Sequence, residues 1–170
     1  MKTGTKVAGL LLMLVCGMAQ ADWVQFASSN GGQIAWAYDP TRVASLPDGN
    51  IKVWYQTTQS AYSKIADMEA EAVDAEKTIG KEVAGLMRAK IPRYRNFSHT
   101  LHRSVFDCRQ QKFFDEESID YSLDGEVLDR RNMNSSVAEM ESMGFRVNSN
   151  RFSEIPPGSL IELLMKRICK

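Results

Sequence analysis

The chain predicts an α+β fold, and three observations carry that prediction. Residues 23–59 alternate in steps of two, residues 60–91 switch to steps of three and four, and the last dozen residues open on a helix cap. Strands therefore come first, a long amphipathic helix follows, strands return, and a C-terminal helix closes the chain.

The N-terminus predicts export. Lys2 and Lys6 form a short positive region, residues 7–15 supply a run of roughly ten largely apolar residues, and Ala19-Gln20-Ala21 presents small residues where a signal peptidase reads. That run is shorter than the roughly twenty apolar residues a membrane-spanning helix needs. Cys16 follows Val15, whereas lipoprotein processing wants a small residue there, so cleavage is expected after Ala21. Residues 1–21 then read as a signal peptide and 22–170 as one domain, 149 residues long, enough for a real core. Losing Lys2 and Lys6 takes the formal charge from zero to −2, which argues against nucleic acid as a partner. No later apolar stretch is long enough to span a membrane.

Each element has its own signal. Trp23-Val24-Gln25-Phe26 opens a strand, and Asn30-Gly31-Gly32 turns it. Ile34, Trp36 and Tyr38 alternate with Gln33, Ala35 and Ala37 until Asp39-Pro40. After the turn Pro47-Asp48-Gly49-Asn50, residues 51–58 are β-branched and aromatic enough for a strand. Ile65, Met68, Ala72, Ala75, Ile79, Val83 and Leu86 then mark one face of a helix that Pro92 stops, with Gly80 and Gly85 weakening its later half. Strands return at 97–108, 111–121 and 126–131, the last two joined at Asp124-Gly125 as a two-residue hairpin turn. Ser136-Val137-Ala138-Glu139 has capping-box spacing and predicts a short helix over 137–143, stopped by Gly144. Pro156-Pro157-Gly158 breaks the chain before a second box, Ser159 to Glu162. Leu160, Leu163, Leu164 and Ile168 supply the apolar face of the last helix.

With Cys16 removed, Cys108 and Cys169 remain, an even pair in an oxidising compartment. Bridged, they close a loop of about 60 residues, worth up to roughly 4 kcal/mol by chain entropy. The alternative is two unpaired buried thiols.

Catalytic signals are sparse. His99 and His102 lie three apart on a predicted strand and so face opposite sides, which argues against a shared metal. Asp115, Glu116 and Glu117 cluster ahead of Asp120 and read as a solvated strand end. Ser, His and Asp occur without a nucleophile elbow. Arg93, Arg95, Arg103, Arg109, Arg130 and Arg131 could form a basic face, though acids are interleaved among them. No catalytic residue, metal ligand or cofactor is expected.

The strand at 51–58, the segment Val105-Phe106-Asp107-Cys108 and the hairpin Tyr121-Ser122-Leu123-Asp124-Gly125 belong to one pattern, which the ending completes. That ending runs Ile155-Pro156-Pro157-Gly158-Ser159-Leu160-Ile161-Glu162, with a penultimate Cys169. Together they resemble the surface-adhesin protein E-like family of Gram-negative bacteria. The resemblance spans most of 22–170, with 60–91 standing as a helical insertion and Phe152 where the family pattern has Trp. It implies an antiparallel sheet packed with helix, a Cys108–Cys169 bridge that tethers the C-terminal helix, and a place in the periplasm or on the cell surface. For the family's namesake it implies adhesion to host extracellular proteins.

The functional expectation is a non-catalytic, exported, protein-binding module whose partner is a host extracellular protein or an envelope component. Ile65, Met68, Ile79 and Val83 are the candidate contact residues on the helix. The rivals are a structural envelope protein that self-associates as a homodimer through that helix, and a small-molecule carrier.

Overall fold

The structure, a computed structural model, describes residues 22–142 and 151–170. Among the described residues an eight-stranded antiparallel sheet is joined by four α-helices. The strands β1 (Val24–Ser29), β2 (Ile34–Tyr38), β4 (Ile51–Thr58), β5 (Phe97–Asp107), β6 (Lys112–Ser122) and β7 (Val127–Asn132) lie side by side in that order. Two short strands extend it: β3 (Ala44–Ser45) pairs with β4, and β8 (Ser153–Glu154) pairs with β6.

Turn chemistry fixes the register. Asp39, fully buried, ends β2 by accepting from the Thr41 amide (2.9 Å) and hydroxyl (2.6 Å), with the Arg42 guanidinium 3.1 Å away. The β6–β7 hairpin departs from the expected two-residue turn. Gly125 alone takes positive φ (81°), and the Ser122 amide donates to the Glu126 carbonyl at 2.9 Å. Leu123–Gly125 is thus a three-residue loop, since a two-residue type I′ turn would need positive φ at two positions. Between Arg103 and Ser104, β6 carries an extra residue, Glu116, that shifts the pairing. The bulge puts Asp115 and Glu117, which would otherwise share a face, on opposite sides of the sheet.

The expected single helix resolves into two, α1 (Ala61–Thr78) and α2 (Lys81–Lys90). Gly80 between them adopts φ 130°, a conformation side-chain-bearing residues avoid, and the chain changes direction there. Ser60 caps α1 by accepting from the Ser63 amide (3.1 Å). The third helix, α3 (Met133–Ser142), starts earlier than Ser136. Asn132 accepts from the Asn134 and Ser135 amides and so caps the helix ahead of the expected cap at Ser136. The expected stop at Gly144 lies outside the described residues.

In α4 (Leu160–Ile168), Ser159 caps by accepting from the Glu162 amide (3.2 Å) as expected, while the Glu162 carboxylate reaches back to the Gly158 amide (2.6 Å). Leu164 and Met165 are buried, half-buried Ile161 and Ile168 pack against the same cluster, Leu160 is half-buried and Leu163 is exposed. Cys169, just past α4, is disulfide-bonded to Cys108, just past β5, with Cα atoms 5.6 Å apart. The C-terminal helix is therefore tethered to the sheet.

Two apolar clusters hold the layers together. One, beneath α4, gathers Phe26, Val53, Tyr55, Phe106, Ile155, Leu164 and Met165. The other, beneath α1, gathers Met68, Tyr94, Phe97 and Leu128. No described helix is long and apolar enough to cross a membrane.

Candidate binding cleft

Register sets a lattice of side chains on the helix-covered face of the sheet. Ile51, Phe106 and Phe113 stand opposite one another near α4, and Val53, Ser104 and Asp115 form the next row. Tyr55, His102, Ser118 and Arg131 follow, then Thr57, Thr100, Asp120 and Asp129. The first row is apolar and the later ones are mostly polar, so a polar band separates the two apolar clusters.

The buried members of the band are anchored. Asp115 accepts from the Ser104 hydroxyl and, at 3.4 Å, from the Tyr55 hydroxyl. Asp120, almost wholly buried, accepts from Tyr94 (2.7 Å) and Thr100 (2.5 Å) and pairs with the Lys64 ammonium at 3.4 Å. Lys64 also lies over the rings of Tyr94 and Phe97, 5.9 and 5.3 Å from their centroids, which holds its charge near the floor. His102 stacks flat on Tyr55, with centroids 4.6 Å apart, and its Nε2 sits 3.4 Å from the Thr57 hydroxyl.

Burial governs how these groups ionise. It pushes the Tyr55 and Tyr94 phenols well up, and the neighbouring Asp115 and Asp120 carboxylates reinforce it. It pushes the His102 imidazole down, against the pull of Asp115 and Asp120, so the ring is neutral near pH 7. For Asp129 burial works upward, but the Lys90 and Arg131 cations outweigh it and hold the carboxyl below its usual range.

Over the band, α1 stands off the sheet and leaves a cleft of about 260 Å³, lined by Thr57, Lys64, Glu71, His102, Ser118 and Arg131 among others. Beside it, between α1, α2 and β7, an apolar groove of about 350 Å³ is lined by Met68, Val83, Leu86 and Met87. Met68, Glu71 and Arg131 line both hollows, so the two adjoin. Lys90 and Arg131 both pair with Asp129, at 3.2 and 3.4 Å. Asp67 receives only the Gln59 amide (3.1 Å), and Glu71 has no hydrogen bond or ion pair among the described residues. Two like charges at i and i+4 cost a helix about 0.2–0.5 kcal/mol.

The four candidate contact residues are split by the structure. Met68 is buried over Tyr94, Phe97 and Leu128, and Ile65 packs half-buried beside it. Ile79, 70% exposed, stands at the helix break, and Val83, 37% exposed, lines the groove. Leu86, 71% exposed and part of the same helical stripe, completes the groove wall.

The acidic run is not a solvated strand end. Glu117 is buried on the opposite face, where Arg103 bridges to Glu116 (2.9 Å) and Glu117 (3.2 Å), and Arg130 approaches Glu117 at 3.6 Å. The arginines accordingly do not gather into one basic face. His99 stacks on Tyr121 and does not share the cleft with His102. Among the described residues no group of three or more His, Cys, Asp or Glu is placed to hold a metal.

The polar band itself went unread in the sequence. Its signal was present: Thr100, His102 and Ser104 on β5, and Ser118 and Asp120 on β6, are polar at every second position, where a core-facing row is usually apolar. No protein-family model, curated protein or solved structure matches this chain.

Proposed function

We propose that this chain is a non-catalytic, exported binding module of the Gram-negative cell envelope that docks a protein partner on the α1–α2 groove. The observation that carries the reading is an open apolar hollow, lined by Met68, Val83, Leu86 and Met87. Exposed apolar surface with a polar rim is the usual mark of a protein contact. At about 350 Å³ the groove sits at the small end of the roughly 300–1,000 Å³ typical of ligand pockets. That size suits one or two anchoring side chains better than an enclosed small molecule. The unpaired acids Asp67 and Glu71 along α1 favour a polypeptide segment carrying an apolar anchor next to Lys or Arg. The hydrogen bonds accepted by Asp115 and Asp120 tie both carboxylates to neighbouring strands and helix, which favours a scaffolding role for these acids over acid–base work. The expected signal peptide and the resemblance to the adhesin E-like family point the same way.

Site-specific photo-cross-linking in the native envelope tests it. A benzophenone side chain at Leu86 is expected to give one discrete adduct that fades with salt and with Val83→Asp. The same group at Leu123, equally exposed on the β6–β7 loop, should give none. Equal labelling at both positions, or no adduct, would overturn the reading. An adduct of twice the chain's own mass would replace it with self-association.

A further inference from the structure

We infer that the polar cleft beneath α1 is a receptor for an alkylammonium group, and that it takes a lysine side chain from the segment that docks in the adjoining groove. The inference rests on the groove reading for its source of lysine, but the cleft makes its own case.

The first argument is construction. A sheet face covered by a helix is normally apolar, because buried polar groups must be desolvated and then satisfied. Here three consecutive strands place hydroxyls, an imidazole and a carboxylate under α1, and the helix stands off them by a hollow of about 260 Å³. Asp120 and Thr100 satisfy each other internally, whereas the Ser118 hydroxyl has no partner among the described residues.

The second argument is charge. Four carboxylates and three cations surround the cleft and its junction with the groove. Asp120 is matched by Lys64, and Asp129 by both Lys90 and Arg131. The remaining pair, Asp67 and Glu71, one helical turn apart on α1, has no cation within ion-pairing distance among the described residues. An arriving ammonium would relieve their mutual repulsion and find acceptors in them and in the Ser118 hydroxyl.

The third argument is adjacency. Met68, Glu71 and Arg131 border both hollows, so a segment crossing them can set an apolar side chain in the groove and a neighbouring lysine in the cleft.

The test titrates Nα-acetyl-lysine methylamide, and separately its uncharged norleucine counterpart, into the folded domain while amide resonances are followed by NMR. Saturable millimolar shifts centred on Glu71, Ser118 and Arg131 are expected for the lysine compound alone. They should weaken at high salt and fall at least fivefold in affinity in Glu71→Gln and in Asp67→Asn, both exposed changes that leave folding intact. Val83→Asp should leave this titration unchanged even where it abolishes the cross-link at Leu86, so the two readings can fail separately. Equal shifts with norleucine, or lysine binding indifferent to Glu71→Gln and Asp67→Asn, would overturn the inference.

Discussion

The two ends of the sheet are built to different purposes. Beneath α4, Phe106, Val53 and Leu164 are fully buried, with Phe26, Ile155 and Met165 nearly so, and the Cys108–Cys169 bridge pins the helix to the strand beneath it. Beneath α1, burial is mixed: Met68, Tyr94 and Phe97 pack, but Thr100, Asp120 and His102 lie beside them and the helix stands away. The first end spends its side chains on exclusion of water. The second gives up part of that stabilisation to keep hydrogen-bonding groups within reach of solvent. Buried polar groups need partners to be tolerated, and the Asp120 cluster supplies them, so the accessible end remains ordered.

The largest expected effect lies at the stapled end. Cys169→Ser frees a helix that begins after Pro157 and ends at the chain's last residues, with a sequence separation of 61 to its former partner. The loss should be about 2–4 kcal/mol, read as a shift of the urea midpoint of the oxidised domain. An unchanged midpoint would show that the apolar face of α4 alone holds that end.

Acid should act through the polar end. Burial lowers the pKa of both His99 and His102 in the folded chain. The unfolded chain then binds more protons as pH falls through the usual histidine value of about 6.5, so stability rises with pH across that window and is lost below it. The slope cannot exceed about 1.4 kcal/mol per pH unit for each imidazole. His102→Gln should flatten the profile between about pH 7 and pH 5. A profile equally steep in the variant would move the acid sensitivity to other groups.

Legibility in the sequence divides along the same line. Strands β2 and β4 announced themselves by alternation and by the turns at Asp39-Pro40 and Pro47–Asn50, and the start of α4 by its cap at Ser159. These are local signals, set by residues a few positions apart. The break at Gly80 was visible only as a weak helix former, because its φ of 130° depends on how α2 folds back. The buried face of α4 turned toward Ile161 and Met165 because the cluster around Phe106 selects the face, and Leu163 was as apolar a choice. The cleft was the least legible. Its rows join residues from Tyr55 to Arg131, and a single bulge at Glu116 decides which acids face inward. Periodicity can place a residue on one of two faces, but only register says what stands beside it.

The smallest effect is the sharpest check on the comparison. Leu86→Asp removes a large apolar side chain from α2, and in a residue spent on packing that would cost several kcal/mol. Leu86 is 71% exposed, so the change should fall within about 0.5 kcal/mol of the parent, with only the modest helix-propensity difference between Leu and Asp acting against it. Thermal denaturation of the parent and variant decides it. A near-silent Tm would place Leu86 outside the folding core, leaving its apolar surface for the docking role. A drop of 2 kcal/mol or more would mean that the groove is closed by the domain's own side chains in solution, and the contrast between a packed end and an open one would fail.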